Sequence, residues 1–220
     1  MDIKPILAPL YLIVDRATCA PRSIEAALAQ ALDAGVRFVQ LREKDLQPDA
    51  LRRLAEKVLR LTDVCGAKLL INTRAEIAIE LGAGGVHLPA AGSAPRTIRQ
   101  RFGRRLLIGC STHNLEELER AAEDGADFVT YSPIYAPASK PGYGPEVGLD
   151  GLCLATGATD VPVFALGGIT PERTSGCRSA GASGVAVMSG ILAAGDTAAA
   201  VRAYLAAWGA PSVGPFRERH

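Results

Sequence analysis

Gln40-Leu41-Arg42-Glu43-Lys44 carries the densest chemistry in the chain. Alternation puts Gln40, Arg42 and Lys44 on one side and Leu41 and Glu43 on the other. Polar groups at the end of an apolar run are costly to bury unless an anion or a hydrogen-bonding ligand meets them. The competing reading is an internal ion-pair network with Asp15 and neighbouring carboxylates. His113 follows the run Leu106-Leu107-Ile108-Gly109-Cys110. A ring placed there can give and take a proton near neutral pH; the plainer reading bonds it to backbone at a helix start. Asn72, Arg74 and Ser111 stand at the ends of similar runs, and His87 fits an interior histidine bonded to a neighbouring strand end.

Two further stretches suit a phosphate. Val163-Phe164-Ala165-Leu166 ends in Gly167-Gly168, followed by Thr170 as an N-cap and Pro171 at the first helical position. Val185-Ala186-Val187-Met188 ends in Ser189-Gly190. Backbone N–H groups at such turns favour an anion, and glycine lets it approach closely. Equally, the glycines can serve only to pack helix against strand. Lys140 lies in a long Pro/Gly-rich loop, residues 133–148, of the kind that covers a binding site.

These residues need a scaffold that gathers strand ends. Leu10-Tyr11-Leu12-Ile13-Val14 reads as a strand buried on both faces. Helical periodicity follows after Ser23, over residues 45–65, 75–81, 94–102, 115–123 and 149–156, and after Asp196. Further apolar runs separate these segments. A Gly-Ala-like joint recurs at Gly35, Gly82, Gly125 and Gly181, each where a helix stops and an even-numbered strand begins. Four such joints imply four βαβα quarters and a parallel sheet. No Gly-x-Gly-x-x-Gly turn follows the first strand, as a doubly wound open sheet would usually have. The expectation is one α/β domain, a (β/α)8 TIM barrel over residues 1–209, with a tail at 210–220. In that fold the strand ends named above share one mouth, and the last two strands often hold phosphate.

Composition narrows the function. The formal net charge is +1 at pH 7, which argues against a nucleic-acid partner. The arginines at 96, 99, 101, 104 and 105 read as a solvated helix face. No apolar run has membrane-spanning length, and the first residues lack the pattern of a secretory signal. Five scattered cysteines and three dispersed histidines show no metal-ligand spacing. A cytoplasmic protein with reduced thiols is expected, and apolar barrel helices make a homodimer the expected assembly.

Tyr11-Leu12-Ile13, Gln40-Leu41-Arg42-Glu43-Lys44, Leu70-Ile71-Asn72, Gly85-Val86-His87-Leu88, Cys110-Ser111-Thr112-His113, Ser132-Pro133-Ile134-Tyr135 and Leu166-Gly167-Gly168-Ile169 resemble thiamine-phosphate synthase and its relative, thiazole tautomerase. The likeness spans residues 10–191 in unbroken motif order. It implies a barrel acting on a phosphorylated thiazole. In the synthase the Gln40/Arg42/Lys44 set would grip a pyrimidine diphosphate, with Mg²⁺ held by an Asp after the strand-three Asn and another after strand four. Here those places read Thr73-Arg74 and Pro89-Ala90, and the loop motif is altered to Ala136-Pro137-Ala138-Ser139-Lys140.

These departures, with Leu88-Pro89-Ala90 and Val187-Met188-Ser189-Gly190-Ile191, point to the tautomerase branch. The expected activity is a metal-independent isomerase that aromatises a carboxythiazole phosphate, with no cofactor. His113 would shuttle the proton. Arg42, Lys44 and Arg74 would orient the carboxylate, and Gly167, Gly168, Ser189 and Gly190 would hold phosphate. The alternatives are an Mg²⁺-dependent synthase recruiting the metal through Asp15 or Glu43, and a non-catalytic sensor of thiamine precursors.

Overall fold

The computed structural model describes residues 7–136 and 145–210. Ser139, Lys140 and the tail from residue 211 onward lie outside the described residues. Eight parallel strands close into a barrel in chain order: β1 Leu10–Val14, β2 Phe38–Leu41, β3 Lys68–Asn72, β4 Gly85–Leu88, β5 Leu107–Thr112, β6 Phe128–Tyr131, β7 Val163–Leu166 and β8 Gly184–Val187. The described helices are α1 Arg16–Cys19, α2 Ile24–Asp33, α3 Pro48–Val64, α4 Ala75–Leu81, α5 Pro95–Phe102, α6 Leu115–Glu123, α7 Gly148–Gly157, α8 Pro171–Ser179, α9 Ser189–Leu192 and α10 Thr197–Trp208. This is the (β/α)8 arrangement expected from the alternating pattern.

Local signals set the helix starts. Ser23, Asn114 and Asp196 accept the backbone N–H of Ala26, Glu117 and Ala199, capping α2, α6 and α10. Thr170 precedes α8 in extended conformation, but its side chain makes no cap bond there. The four-residue helices α1 and α9 are too short to show periodicity, and Ser189-Gly190, where the second apolar run turns toward a helix, opens α9. Arg99 also departs from the solvated-face expectation. It pairs with Asp127 and donates to the carbonyls of Gly125 and Leu106, at 3.2 and 2.8 Å, tying α5 to the start of β6. Among the described residues no helix is long and apolar enough to cross a membrane.

The strands bury both faces. Leu12, Val39, Ile71, Val86, Ile108 and Val129 pack outward against the helices. Tyr11, Ile13, Phe38, Leu70, Phe128, Phe164 and Ala186 fill the barrel interior. Tyr11 stacks on Phe38 with ring centroids 4.2 Å apart and meets Phe128 and Phe164 edge-on at 5.4 and 6.0 Å. Glycine is required opposite: a Cβ on Gly109 would stand 2.2 Å from Phe128 and 2.7 Å from His87 Nδ1. Large rings on some strands thus interlock with bare backbone on others, closing the interior to solvent.

Above this plug runs a chain of polar contacts. Gln40 Nε2 donates to Tyr11 Oη at 3.0 Å, Tyr11 Oη lies 3.2 Å from His87 Nδ1, and His87 Nε2 lies 3.0 Å from Ser111 Oγ. The bonding order assigns the hydrogens. Tyr11 accepts from Gln40 and gives its one hydrogen to His87 Nδ1. His87 then donates from Nε2 to Ser111, leaving the Ser111 hydroxyl hydrogen to point elsewhere. Burial first, and then the charge of Arg42, push the His87 imidazole down to about 3, so it stays neutral as the chain requires. Burial raises the Tyr11 phenol above its ordinary range.

Thr73 is the one described non-glycine residue with positive φ, at 61°. A β-branched side chain there is strained. The strain is held by Thr73 N–H donating to His87 O at 2.9 Å and Thr73 Oγ1 donating to Asn72 O at 2.7 Å. Its cost is of order 1–3 kcal/mol.

Two outcomes follow from these interior features. Between pH 6.5 and about 3 the unfolded chain binds a proton at residue 87 that the folded chain refuses. Stability should therefore fall with decreasing pH by about 1.4 kcal/mol per unit on this account. Urea unfolding between about pH 7 and 4 should show a steeper loss in the wild type than in His87→Gln, and equal slopes would remove His87 from the linkage. Replacing Thr73 by Gly should raise unfolding free energy by about 0.5–1 kcal/mol, the relief of left-handed strain less the added chain entropy. A loss of stability in Thr73→Gly would show that the threonine contacts outweigh the strain.

Candidate active site

The C-terminal ends of the strands open into a cavity of about 790 Å³. Gln40, Arg42, Lys44, Asn72, Arg74, Ser111, His113, Gly167, Gly168, Ser189 and Gly190 all line it. They include every described residue expected from sequence to act on or hold the substrate of the tautomerase reading.

One arc of the rim is cationic. β2 ends at Leu41, and Arg42 extends its ladder by one bond, N–H to Val14 O at 2.9 Å. The strand alternation stops there, so Arg42 and Lys44 belong to the βα turn. Glu43 turns away from the cavity centre: its carboxylate accepts from Arg16 N at 2.8 Å and pairs with Arg16 Nε at 3.2 Å. Its side chain is 4% exposed. Asp15, outside the cavity lining, caps α1 through Thr18 N–H at 2.6 Å. The ion-pair network considered from sequence therefore forms between Glu43 and Arg16 and leaves Arg42 out. Arg42 is half-buried, and among the described residues its guanidinium has no hydrogen-bonded or ion-paired partner. Arg74, just after the strained Thr73, adds a guanidinium from the start of α4.

The middle of the rim holds His113 and Ser111. Asn114 caps α6, and Glu117 accepts the His113 backbone N–H at 2.8 Å, which fixes the start of that helix. The His113 Nδ1–H donates to Ser132 O at 2.9 Å, with Ser132 Oγ 3.2 Å away. The ring is thereby held at the mouth by a backbone carbonyl of the next strand end.

The third arc is the β7/β8 end. Gly167 and Gly168 have φ of 97° and 59°. A Cβ on Gly167 would sit 2.8 Å from Pro133 Cα, and one on Gly168 would sit 2.8 Å from the Tyr135 and Ala136 carbonyls. Ile134 N–H donates to Leu166 O and Tyr135 N–H to Gly167 O, at 2.9 and 3.1 Å. The glycine pair is thus needed for backbone packing against residues 133–136, and it also lines the cavity. Ser189 and Gly190 open α9, so their N–H groups have no acceptor within the helix.

Three contributors had no sequence signal. Arg173 donates to Gly168 O at 2.7 Å and lies 4.4 Å over the Tyr135 ring. Tyr204, from α10, donates to Ile169 O at 2.8 Å and occupies the space a Gly190 Cβ would need, at 2.4 Å from its hydroxyl. Met188 supplies apolar wall. Tyr204 and Ile169 are separated by 35 residues, and no local pattern connects them.

The lining is poor in metal donors. Glu43 is the sole carboxylate among the described lining residues, and it is held by Arg16. Among the described residues no cluster of His, Cys, Asp and Glu could hold a metal ion. The segment 137–144, Pro-Ala-Ser-Lys-Pro-Gly-Tyr-Gly, contains no carboxylate.

Residues 10–191 match the family model described as thiamine monophosphate synthase. A Geobacter sulfurreducens protein provisionally named thiamine-phosphate synthase is 46% identical over 90% of this chain and 92% of its own. The thiamine-phosphate synthase of Roseiflexus castenholzii is 37% identical over 88% of this chain and 85% of its own. Among solved structures, thiamine phosphate pyrophosphorylase from Pyrococcus furiosus superposes with a TM-score of 0.82 at 25% identity, covering 91% of this chain and 95% of that one.

These likenesses correct the expectation of a thiazole tautomerase-like isomerase. Relatives matching nearly end to end carry the synthase name, a transferase. The physical reason lies in what the altered residues can decide. Replacing two carboxylates by Thr73-Arg74 and Pro89-Ala90 changes how an anion is neutralised, not which bonds form. A histidine at position 113 is compatible with both chemistries, so it could not separate them. The unbroken order of matching strand ends from residue 10 to 191 places the chain in the thiamine monophosphate synthase family.

Proposed function

We propose that this protein is a transferase of the thiamine-phosphate synthase type. It joins a hydroxymethylpyrimidine diphosphate to a thiazole phosphate and releases pyrophosphate. The observation that carries this reading is the division of the mouth into two anion-ready arcs. Arg42, Lys44 and Arg74 surround the ends of β2 and β3; Gly167, Gly168, Ser189 and Gly190 surround those of β7 and β8. Two substrates, each bearing phosphate, need two such places. A proton shift on a single carboxythiazole phosphate would also occupy two anionic places, so the arcs support the transferase together with the relatives that bear the synthase name.

The assignments follow from the bonding. The phosphate arc receives the thiazole phosphate on the amides of Gly167, Gly168, Ser189 and Gly190. The cationic arc receives the diphosphate on Arg42, Lys44 and Arg74. Gln40 spends its amide nitrogen on Tyr11, which turns its carbonyl oxygen into an acceptor for the pyrimidine amino group. Ser111, already accepting from His87, has its hydroxyl hydrogen to give to the diphosphate, and Asn72 lines the same cavity at the end of β3. In the reaction the thiazole nitrogen lone pair forms a C–N bond to the pyrimidine methylene carbon. The C–O bond to diphosphate breaks, and its electron pair leaves on the diphosphate oxygen. No proton changes carbon atoms, so His113 orients substrate through its Ser132-anchored ring and shuttles no proton. Among the described residues the Mg²⁺ associated with this family finds no fitting donor set, because the lining carboxylate Glu43 is already paired with Arg16 and the guanidinium of Arg42 stands nearby without a partner.

Incubation with both substrates should yield thiamine phosphate and pyrophosphate by mass spectrometry; absence of the coupled product at any metal concentration would end this reading. His113→Asn should keep kcat within about tenfold of wild type. A residue acting as general acid–base would instead cost ~10²–10⁴-fold, and a loss of that size would restore a proton-transfer role.

A further inference from the structure

We infer that this protein holds the diphosphate with fixed side-chain cations, Arg42, Lys44 and Arg74, in place of a divalent metal. The inference rests on the transferase reading for the identity of the ligand, but its physical basis is independent. The described lining offers three cationic side chains at the β2 and β3 ends against one carboxylate, Glu43, which Arg16 occupies. Arg42 is half-buried and, like Arg74, has no hydrogen-bonded or ion-paired partner among the described residues. A partly buried cation left without a carboxylate is placed for an anion that arrives later.

The turn after β3 sharpens this. Thr73 keeps a left-handed backbone that its side chain disfavours, and the next residue delivers Arg74 to the mouth. A carboxylate at this turn would recruit a cation to bridge protein and phosphate. A guanidinium at the same turn meets the phosphate oxygens directly, through paired N–H donors. A divalent ion entering here would face like charges and, among the described lining side chains, only neutral oxygens and a carboxylate that Arg16 holds. In the reaction the C–O bond breaks with its electron pair on the diphosphate, and the three cations take up the charge that develops there. No metal, proton or electron acceptor enters the balance.

Inorganic pyrophosphate titrated into the protein by calorimetry, with EDTA and then with excess Mg²⁺, tests the inference. Binding should be present in EDTA and should tighten no more than about threefold with the metal. Arg74→Ala should weaken metal-free binding by roughly tenfold or more, the loss of a charge-assisted contact. Thr73→Asp combined with Arg74→Ala should make pyrophosphate binding depend on Mg²⁺. Pyrophosphate that binds only with Mg²⁺, that does not bind under either condition, or that binds Arg74→Ala as tightly as wild type would overturn the inference. Metal-free binding without any coupled product would leave the clamp standing and remove the transferase reading. Coupled product with pyrophosphate binding seen only in Mg²⁺ would do the reverse.

Discussion

The Tyr11 side chain separates the two halves of this barrel. Its ring belongs to the aromatic plug with Phe38, Phe128 and Phe164, and its hydroxyl begins the polar chain through His87 to Ser111. Below that oxygen the interior is filled by packed side chains. Above it every strand end faces the cavity. Because a buried phenol and a buried imidazole must both be satisfied, each fixes the other: Gln40 supplies the donor that Tyr11 accepts, and His87 accepts what Tyr11 gives. The mouth rests on a floor whose hydrogen-bond direction is set by its neighbours.

Charge is distributed around the rim with the same economy of alternatives. Acidic groups near the opening are engaged in structure: Glu43 with Arg16, Asp15 with the first turn of α1, Glu117 with the His113 amide. What remains facing the cavity is cationic or amide in character on two arcs separated by β1. This separation leaves room for two anionic groups at once. It also explains how a chain can keep the family's fold and strand-end motifs while lacking the carboxylates after β3 and β4.

Much of this was legible in the sequence. Buried apolar runs alternating with amphipathic segments gave all eight strands, because a parallel strand covered on both faces has no polar alternation to confuse it. Ser23, Asn114 and Asp196 marked helix starts because capping is local chemistry. The short α1 could not be read and α9 was legible only as a turn into a helix after Met188, since four residues span barely one turn. Tyr11 hid within an apolar run, where its hydroxyl carried no periodic signature. Arg173 and Tyr204 acquire their roles only when α8 and α10 fold back on the β7 end. The branch is not legible at Thr73 and Pro89, because a change in the charge of the rim does not identify the reaction, whereas the relatives matching nearly end to end carry the synthase name.

The unpartnered guanidinium of Arg42 has one more consequence. An ion that enters with a substrate can depart with the product, carrying away the attraction that held it. An arginine anchored to the barrel stays behind. On the transferase reading, the liberated anion still sits against the positive charge that drew it in, and its escape leaves that charge bare in a half-buried setting. On that reading the retained charge opposes release of the diphosphate, and small inorganic anions compete for the same seat.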